Sequence, residues 1–293
     1  MLKRGAALTA AIATAGLSAN AWAQELLGQP TPGAIDLQPG ASPLRHQQEF
    51  FHNVILLPII TIIVLFVLGL LLYVMVRFNR KANPVPAKWS HNTPIEVLWT
   101  VVPVLILMFI SIFSFKLLYA FHDMPPPDVT VKATGNQWYW TYAYPDLKIG
   151  EYTSTLTPED KAPPHLFRLA ADNPMVVPVD KVVRVQVTGA DVIHAFAMPA
   201  FGVKIDAVPG KTNQTWFKAE KIGIYYGQCS ELCGVDHAFM PIQINVVSQA
   251  DFDSWVKSKT GGAAAASSAP AASSTAAPAA SSAPAASSAP AAH

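Results

Sequence analysis

Charge and cysteine are both scarce in this chain. Of its 293 residues only 13% are Asp, Glu, Lys or Arg, against 51% hydrophobic, and the net charge is +1. Soluble domains carry about a quarter of their residues as charges, so part of this chain is expected to lie in lipid. The two cysteines form no C-x-x-C-H motif, which excludes a covalently attached c-type haem. Nor is there an array of histidines within the long apolar runs to hold haem inside a membrane.

The two ends of the chain read as processing and tether segments. Residues 1–23, MLKRGAALTAAIATAGLSANAWA, place Lys3 and Arg4 ahead of a short apolar run and end in an A-x-A pattern, which predicts a cleaved export signal. Residues 24–49 then form an exterior N-terminal segment. Residues 261–293 hold no charge and no large apolar side chain, and SSAPAA recurs from Ser267, Ser281 and Ser287. Such a stretch has nothing to bury and predicts a disordered Ala/Ser/Pro tail.

Two apolar runs stand between these ends, at 53–76 and 97–115, with no charge in either. Each is long enough to cross a hydrocarbon core of about 30 Å, so residues 50–121 predict a transmembrane helical hairpin. The short loop between the runs carries Arg77, Arg80, Lys81 and Lys88. The positive-inside rule puts that loop in the cytoplasm and both chain ends outside, as the export signal also requires.

From about residue 122 to 260 the pattern becomes short alternating strands, among them DVTVKATG, WYWTYAYP, VVRVQVTG, TWFKAE, GIYYGQC and PIQINVVS, separated by Gly, Pro, Asp and Asn. That is the reading of an all-β Greek-key sandwich or barrel. This part carries 15 acidic against 12 basic residues. A mildly acidic exterior domain suits a basic protein partner rather than nucleic acid.

Both cysteines fall in GQCSELCGVDHAFM at 227–240. On the oxidising side of a membrane Cys229 and Cys233 could pair as a disulfide, or with His194 and His237 they could bind zinc. Their neighbours favour a third reading. A β-sandwich that offers cysteine, two histidines and a methionine, Met240, has the ligand set of a blue-copper electron carrier, in which soft sulfur suits Cu(I) and imidazole suits both copper states. With two thiolates on one loop, two metal ions can be bridged.

The motifs HNTPIEVLWT at 91–100, GNQWYWTYAYP at 135–145, and DVIHAFAMPAFGVKIDAVPG with GQCSELCGVDHAFMP resemble subunit II of cytochrome c oxidase, whose cupredoxin domain carries the binuclear CuA centre. The resemblance extends from residue 45 to about 258. It implies that Cys229 and Cys233 bridge two coppers, that His194 and His237 bind one each, and that Met240 and the Glu231 carbonyl are weak axial ligands. It implies further that the Glu231 side chain helps hold Mg or Mn at the boundary with a haem-bearing subunit I, and that subunit III is a further neighbour.

The same resemblance makes Trp138 the residue where an electron from cytochrome c enters. Asp191 matches one of the family's docking carboxylates, with Asp172 a second candidate on this chain, and Glu96, at a helix N-terminus where a carboxylate ordinarily caps or meets the helix dipole, matches the mouth of a proton pathway into subunit I. Period-2 alternation sets Trp138, Trp140 and Tyr142 on one strand face and Tyr139 on the other. Two positions depart from the family pattern: Ala143 stands where a glutamate is frequent, which thins the docking patch, and Asn136 stands where histidine is frequent. The expected role is electron transfer from cytochrome c to haem in subunit I, in the inner membrane of a bacterium. A copper chaperone shares the ligand chemistry, and a quinol oxidase subunit shares the fold without the copper ligands.

Overall fold

A computed structural model describes residues 28–266; the export signal and the tail beyond residue 266 lie outside the described residues. The first helix, α1 (Pro43–Phe50), starts where the Ser42 hydroxyl accepts the Arg45 N–H at 3.1 Å, with Pro43 at the first helical position. It passes through a π-helical stretch, Phe51–Leu56, into α2 (Leu57–Arg77), making 35 continuous helical residues. Asn92 caps α3 (Thr93–His122), which is 30 residues long. Both helices outrun the charge-free runs at 53–76 and 97–115, because the caps at Ser42 and Asn92 fix where helical hydrogen bonding begins.

The 21 residues of α2 rise about 32 Å, the thickness of a hydrocarbon core. No side chain of α2 or α3 is buried, and Leu65, Phe66, Leu107 and Met108 stand fully outward. Two bare apolar helices of this length have no stable place in water. They belong in a membrane.

Ten strands follow: β1 (Val129–Asn136), β2 (Tyr139–Tyr144), β3 (Ile149–Ser154), β4 (Met175–Pro178), β5 (Val182–Gly189), β6 (His194–Met198), β7 (Val203–Ala207), β8 (Asn213–Lys218), β9 (Gly223–Cys229) and β10 (Pro241–Val247). They form two five-stranded sheets, ordered β3-β2-β1-β5-β8 and β4-β10-β9-β6-β7. The pairs β1–β5 and β4–β10 are parallel and the other neighbours antiparallel. The core lies between the sheets, with Val183, Val185 and Val187 of β5 and Trp140, Tyr142 and Tyr144 of β2 turned inward.

Strands β4 and β6 are buried at every position, so they show no alternation in the sequence and went unread there. The C-terminal helix α4 (Gln249–Ala266) is a further addition. It starts at a Ser248 cap, whose hydroxyl accepts the Asp251 N–H at 3.2 Å and donates to the Asp251 carboxylate at 2.7 Å. Trp255 packs against Tyr144 at 5.1 Å between ring centroids. The helix runs six residues into the segment expected to be without structure from 261; alanines 263–266 carry helix propensity enough to prolong it.

The β-domain is tied directly to the first helix. Ala41 N–H donates to the Ala200 carbonyl at 2.8 Å, Glu220 N–H to the Ala41 carbonyl at 3.0 Å, and Ser42 Oγ to the Phe201 carbonyl at 2.9 Å. Phe201 in turn stacks on Phe217 at 4.5 Å and lies 4.6 Å from the Tyr225 ring. Phe201→Ala should therefore cost about 3–5 kcal/mol, measured as a lower denaturant midpoint for the β-domain, and a midpoint that does not move would show this stack to be dispensable.

Candidate metal centre

Strand adjacency gathers the first donors. His194 opens β6, Cys229 closes β9, and these strands are neighbours with Phe196 opposite Cys229. Met240 immediately precedes β10, the other neighbour of β9, and its carbonyl accepts the Cys229 N–H at 3.2 Å. The loop between β9 and β10 supplies Cys233 and His237, and it is pinned at its start by Ser230 N–H on the Ala195 carbonyl at 3.1 Å. All the donors thus meet at one end of the second sheet.

Cys229 Sγ and Cys233 Sγ lie 3.8 Å apart. A disulfide needs about 2.05 Å, and both thiols are free and buried. His194 Nδ1 is 4.0 Å from Cys229 Sγ, whereas His237 Nδ1 is 3.5 Å and Met240 Sδ 3.6 Å from Cys233 Sγ. The Glu231 carbonyl faces Cys229 Sγ at 3.3 Å while the Glu231 side chain is exposed. Donor atoms of His194, Cys229 and Cys233 lie within 4.8 Å of one another, a mutual set that does not include His237. Each imidazole therefore attends a different sulfur.

Burial, and then the adjacent Cys229 thiol, push the Cys233 thiol up to about 12. A thiol raised in this way resists ionisation until a cation takes the place of its proton. Two thiolates, a thioether and two imidazoles form a soft set that fits copper and is foreign to a hard cation.

The supports around the donors are more extensive than the motif alone discloses. His194 is fully buried, and its Nε2 lies 2.8 Å from Asp191 Oδ1. Asp191 also accepts the Val192 N–H at 2.6 Å and the Gln137 N–H at 2.7 Å. Burial alone would raise the Asp191 carboxyl, but these hydrogen bonds, that from His194 foremost, hold it below the usual value. Gly135 presses on the imidazole so closely that a Cβ there would stand 2.8 Å from His194 Cδ2. Trp140 closes the same side edge-on, 6.2 Å between ring centroids.

Trp138 departs from the alternation expected for its strand. The β1–β2 register ends at Asn136 opposite Tyr139, leaving Gln137 and Trp138 as a two-residue turn. Trp140 and Tyr142 enter the core, while Trp138 stays half-buried at the surface. Its indole N–H donates to the Cys233 carbonyl at 3.2 Å, as does Gln137 Nε2 at 2.9 Å. Gly234, at φ +128°, passes so near that a Cβ would stand 2.8 Å from Trp138 Cζ2.

The remaining expected site residues are spread out. Asp172 staples a loop, accepting the Thr155 N–H at 2.7 Å and the Thr155 hydroxyl at 2.8 Å. Thr155 and Trp138 line a shallow surface depression with Phe239 and Asp236; Asp236 is a carboxylate that sequence reasoning missed, although it adjoins His237. Glu96 lies far along the chain in the first turn of α3, where its carboxylate accepts the Asn92 N–H at 3.1 Å as a helix cap.

Residues 129–247 match the family described as cytochrome c oxidase subunit II, periplasmic domain, and residues 30–117 match its transmembrane domain. The chain belongs to the family of cytochrome c oxidase subunit II. A probable cytochrome c oxidase subunit 2 of Rickettsia conorii is 51% identical over 244 residues, which is 83% of this chain and 76% of that one. Cytochrome c oxidase subunit 2 of Cereibacter sphaeroides is 46% identical over 262 residues, 83% of this chain and 86% of that one. The solved periplasmic domain of cytochrome oxidase subunit II from Bradyrhizobium japonicum is 62% identical and covers 47% of this chain and 98% of its own, with a TM-score of 0.45. A subunit II is a component of an oxidoreductase complex, and the two bare helices with the β-sandwich are its architecture.

The raised Cys233 thiol sets the sign of a pH dependence. Its proton must leave before sulfur can bind a metal, so copper affinity of the metal-free chain should rise as pH rises through the neutral and alkaline range towards about 12. Copper titrations against a competing chelator at several pH values check this, and an affinity flat in pH would show that Cys233 does not give up a proton on binding.

Proposed function

We propose that this chain receives single electrons from a cytochrome c at a binuclear copper centre and passes them to haem in subunit I, where dioxygen is reduced to water with proton pumping. The observation that carries the reading is the pair of thiols 3.8 Å apart with a different imidazole beside each. One tetrahedral zinc would need both histidines and both cysteines around a single point, and His237 is outside the mutual set. Two ions sharing two thiolates suit this spacing better.

In this reading Cys229, Cys233, His194, His237, Met240 and the Glu231 carbonyl would hold the two coppers, both thiolates being shared and each imidazole serving one ion. Copper so held supplies a one-electron couple shared over both ions. The burial of Cys229, Cys233, His194 and Met240 keeps water from reorganising around the site. Trp138 offers its ring at the surface and its indole N–H to the Cys233 carbonyl, a short bonded route inward from the face where cytochrome c would dock. Asp172 and Asp236 supply carboxylates on that side for a basic partner.

The basic loop of Arg77, Arg80, Lys81 and Lys88 assigns the hairpin's connection to the cytoplasm and the β-domain to the periplasmic side of a bacterial inner membrane. The exposed faces of α2 and α3 then meet lipid, subunit I and subunit III. The Glu231 side chain points outward and is assigned to Mg or Mn shared with subunit I. Glu96 is assigned to the mouth of a proton pathway in addition to its capping bond.

Electron paramagnetic resonance of the copper-loaded chain should show one unpaired electron shared over two coppers; a mononuclear or silent site with labile copper would instead favour a copper carrier. Trp138→Ala should slow electron uptake from cytochrome c by a large factor at unchanged copper content, and undiminished turnover would remove Trp138 from the route. Met240→Leu should shift the copper potential and spectrum with the domain still folded, whereas an unaltered spectrum would make Met240 a packing residue only.

A further inference from the structure

Asp191 lies near the surface, and a surface carboxylate beside Trp138 would ordinarily be assigned to partner docking. Its hydrogen bonds give it a further task. Oδ1 takes His194 Nε2 at 2.8 Å and the Val192 N–H at 2.6 Å, and Oδ2 takes the Gln137 N–H at 2.7 Å. Three donors from within the chain occupy most of its roughly four lone-pair sites, so this carboxylate is built into the domain as well as facing outward.

The bond to His194 also fixes proton placement. A carboxylate can only accept, so the imidazole must carry its proton on Nε2, and the bare Nδ1 lone pair faces Cys229 Sγ. Gly135 and Trp140 both pack against the ring and confine it. Among the described residues no carboxylate is paired with His237, which is only half-buried. The two imidazoles are therefore held unequally.

We propose that Asp191 is a positioning residue for the metal centre: it sets the His194 tautomer, strengthens His194 as a donor, and ties the ligand to the Gln137–Trp138 turn. The turn is also tied to the other side of the site, since Gln137 Nε2 and Trp138 Nε1 both donate to the Cys233 carbonyl. One carboxylate thus joins a histidine ligand to the turn that is anchored on a cysteine ligand. Outer hydrogen bonds of this kind raise the basicity of a metal-bound imidazole. A more basic donor favours the oxidised metal.

This inference rests on the copper reading, and the test separates the two. In the copper-loaded full chain, Asp191→Ala should weaken copper retention against a chelator about 10- to 100-fold, raise the reduction potential and change the nitrogen hyperfine coupling of one histidine. Asp191→Asn, which keeps one acceptor without the charge, should fall between Ala and the unsubstituted chain. The unsubstituted chain provides a check that does not depend on a variant folding. By nuclear magnetic resonance, the His194 ring N–H should exchange with deuterium far more slowly than that of His237.

If the unsubstituted chain lacks a two-copper spectrum, the copper reading itself falls. If that spectrum is present but the variants keep the same potential, hyperfine coupling and copper retention and alter only the KM for cytochrome c and its salt dependence, Asp191 is a docking residue and the proposal is overturned. Equal exchange of the two histidine ring protons would overturn it as well.

Discussion

Two buried thiols held 3.8 Å apart without a bond between them are the constraint on which the rest of the β-domain turns. Burial and the adjacent Cys229 thiol raise the cost of ionising Cys233, and both sulfurs lie away from water. Such a pair gains little for a fold by itself, since two apolar residues of the same size would pack as well. It becomes favourable when a cation shared by both sulfurs replaces the protons. The fold therefore has to keep the sulfurs close enough to share metal.

Rigidity supplies that separation. Cys229 is fixed at the end of a central strand of its sheet, between β10 and β6, and its N–H is bonded to the Met240 carbonyl. Cys233 sits on a loop whose carbonyl takes two side-chain donors from the opposite sheet. The backbone at Cys229 is held within its own sheet, and the backbone at Cys233 is held by bonds that cross from the other sheet. The same bonds make the 137–138 turn part of the metal site, which is why a surface tryptophan and a buried sulfur are structurally one unit.

Much of this was legible in the sequence. Charge-free length identified the two membrane helices, and short β-branched and aromatic runs between turn residues identified six of the ten described strands, of which β5 alternates throughout. Five of the candidate donors, Cys229, Cys233, His194, His237 and Met240, stood out because sulfur and imidazole are rare and were found together; the Glu231 carbonyl came only with the family resemblance. What escaped has a physical cause in each case. Strands β4 and β6 are dry on all sides and so have no period. The alternation read through WYWTYAY continued one residue too far, since the register of β1 with β2 takes Trp138 out of the strand. Gly135 and Gln137 carry no chemical signature, and only packing distances reveal that one limits the His194 ring and the other holds both Asp191 and Cys233.

Asp191 and Asp172 show why carboxylates are harder to assign than sulfur. A cysteine beside a histidine has few uses, but an aspartate can cap, staple, orient or dock with the same two oxygens. Sequence position placed both near Trp138. Geometry separates them by what their oxygens already hold: Asp172 bonds to a hydroxyl and backbone N–H groups of its own loop, whereas Asp191 reaches a metal ligand three residues away and a turn 54 residues away. The His194 ring and the Val192 N–H share one Asp191 oxygen, and the Gln137 N–H donates to the other, so the position of this carboxylate is fixed by the imidazole and the turn it holds, whatever else approaches it from outside.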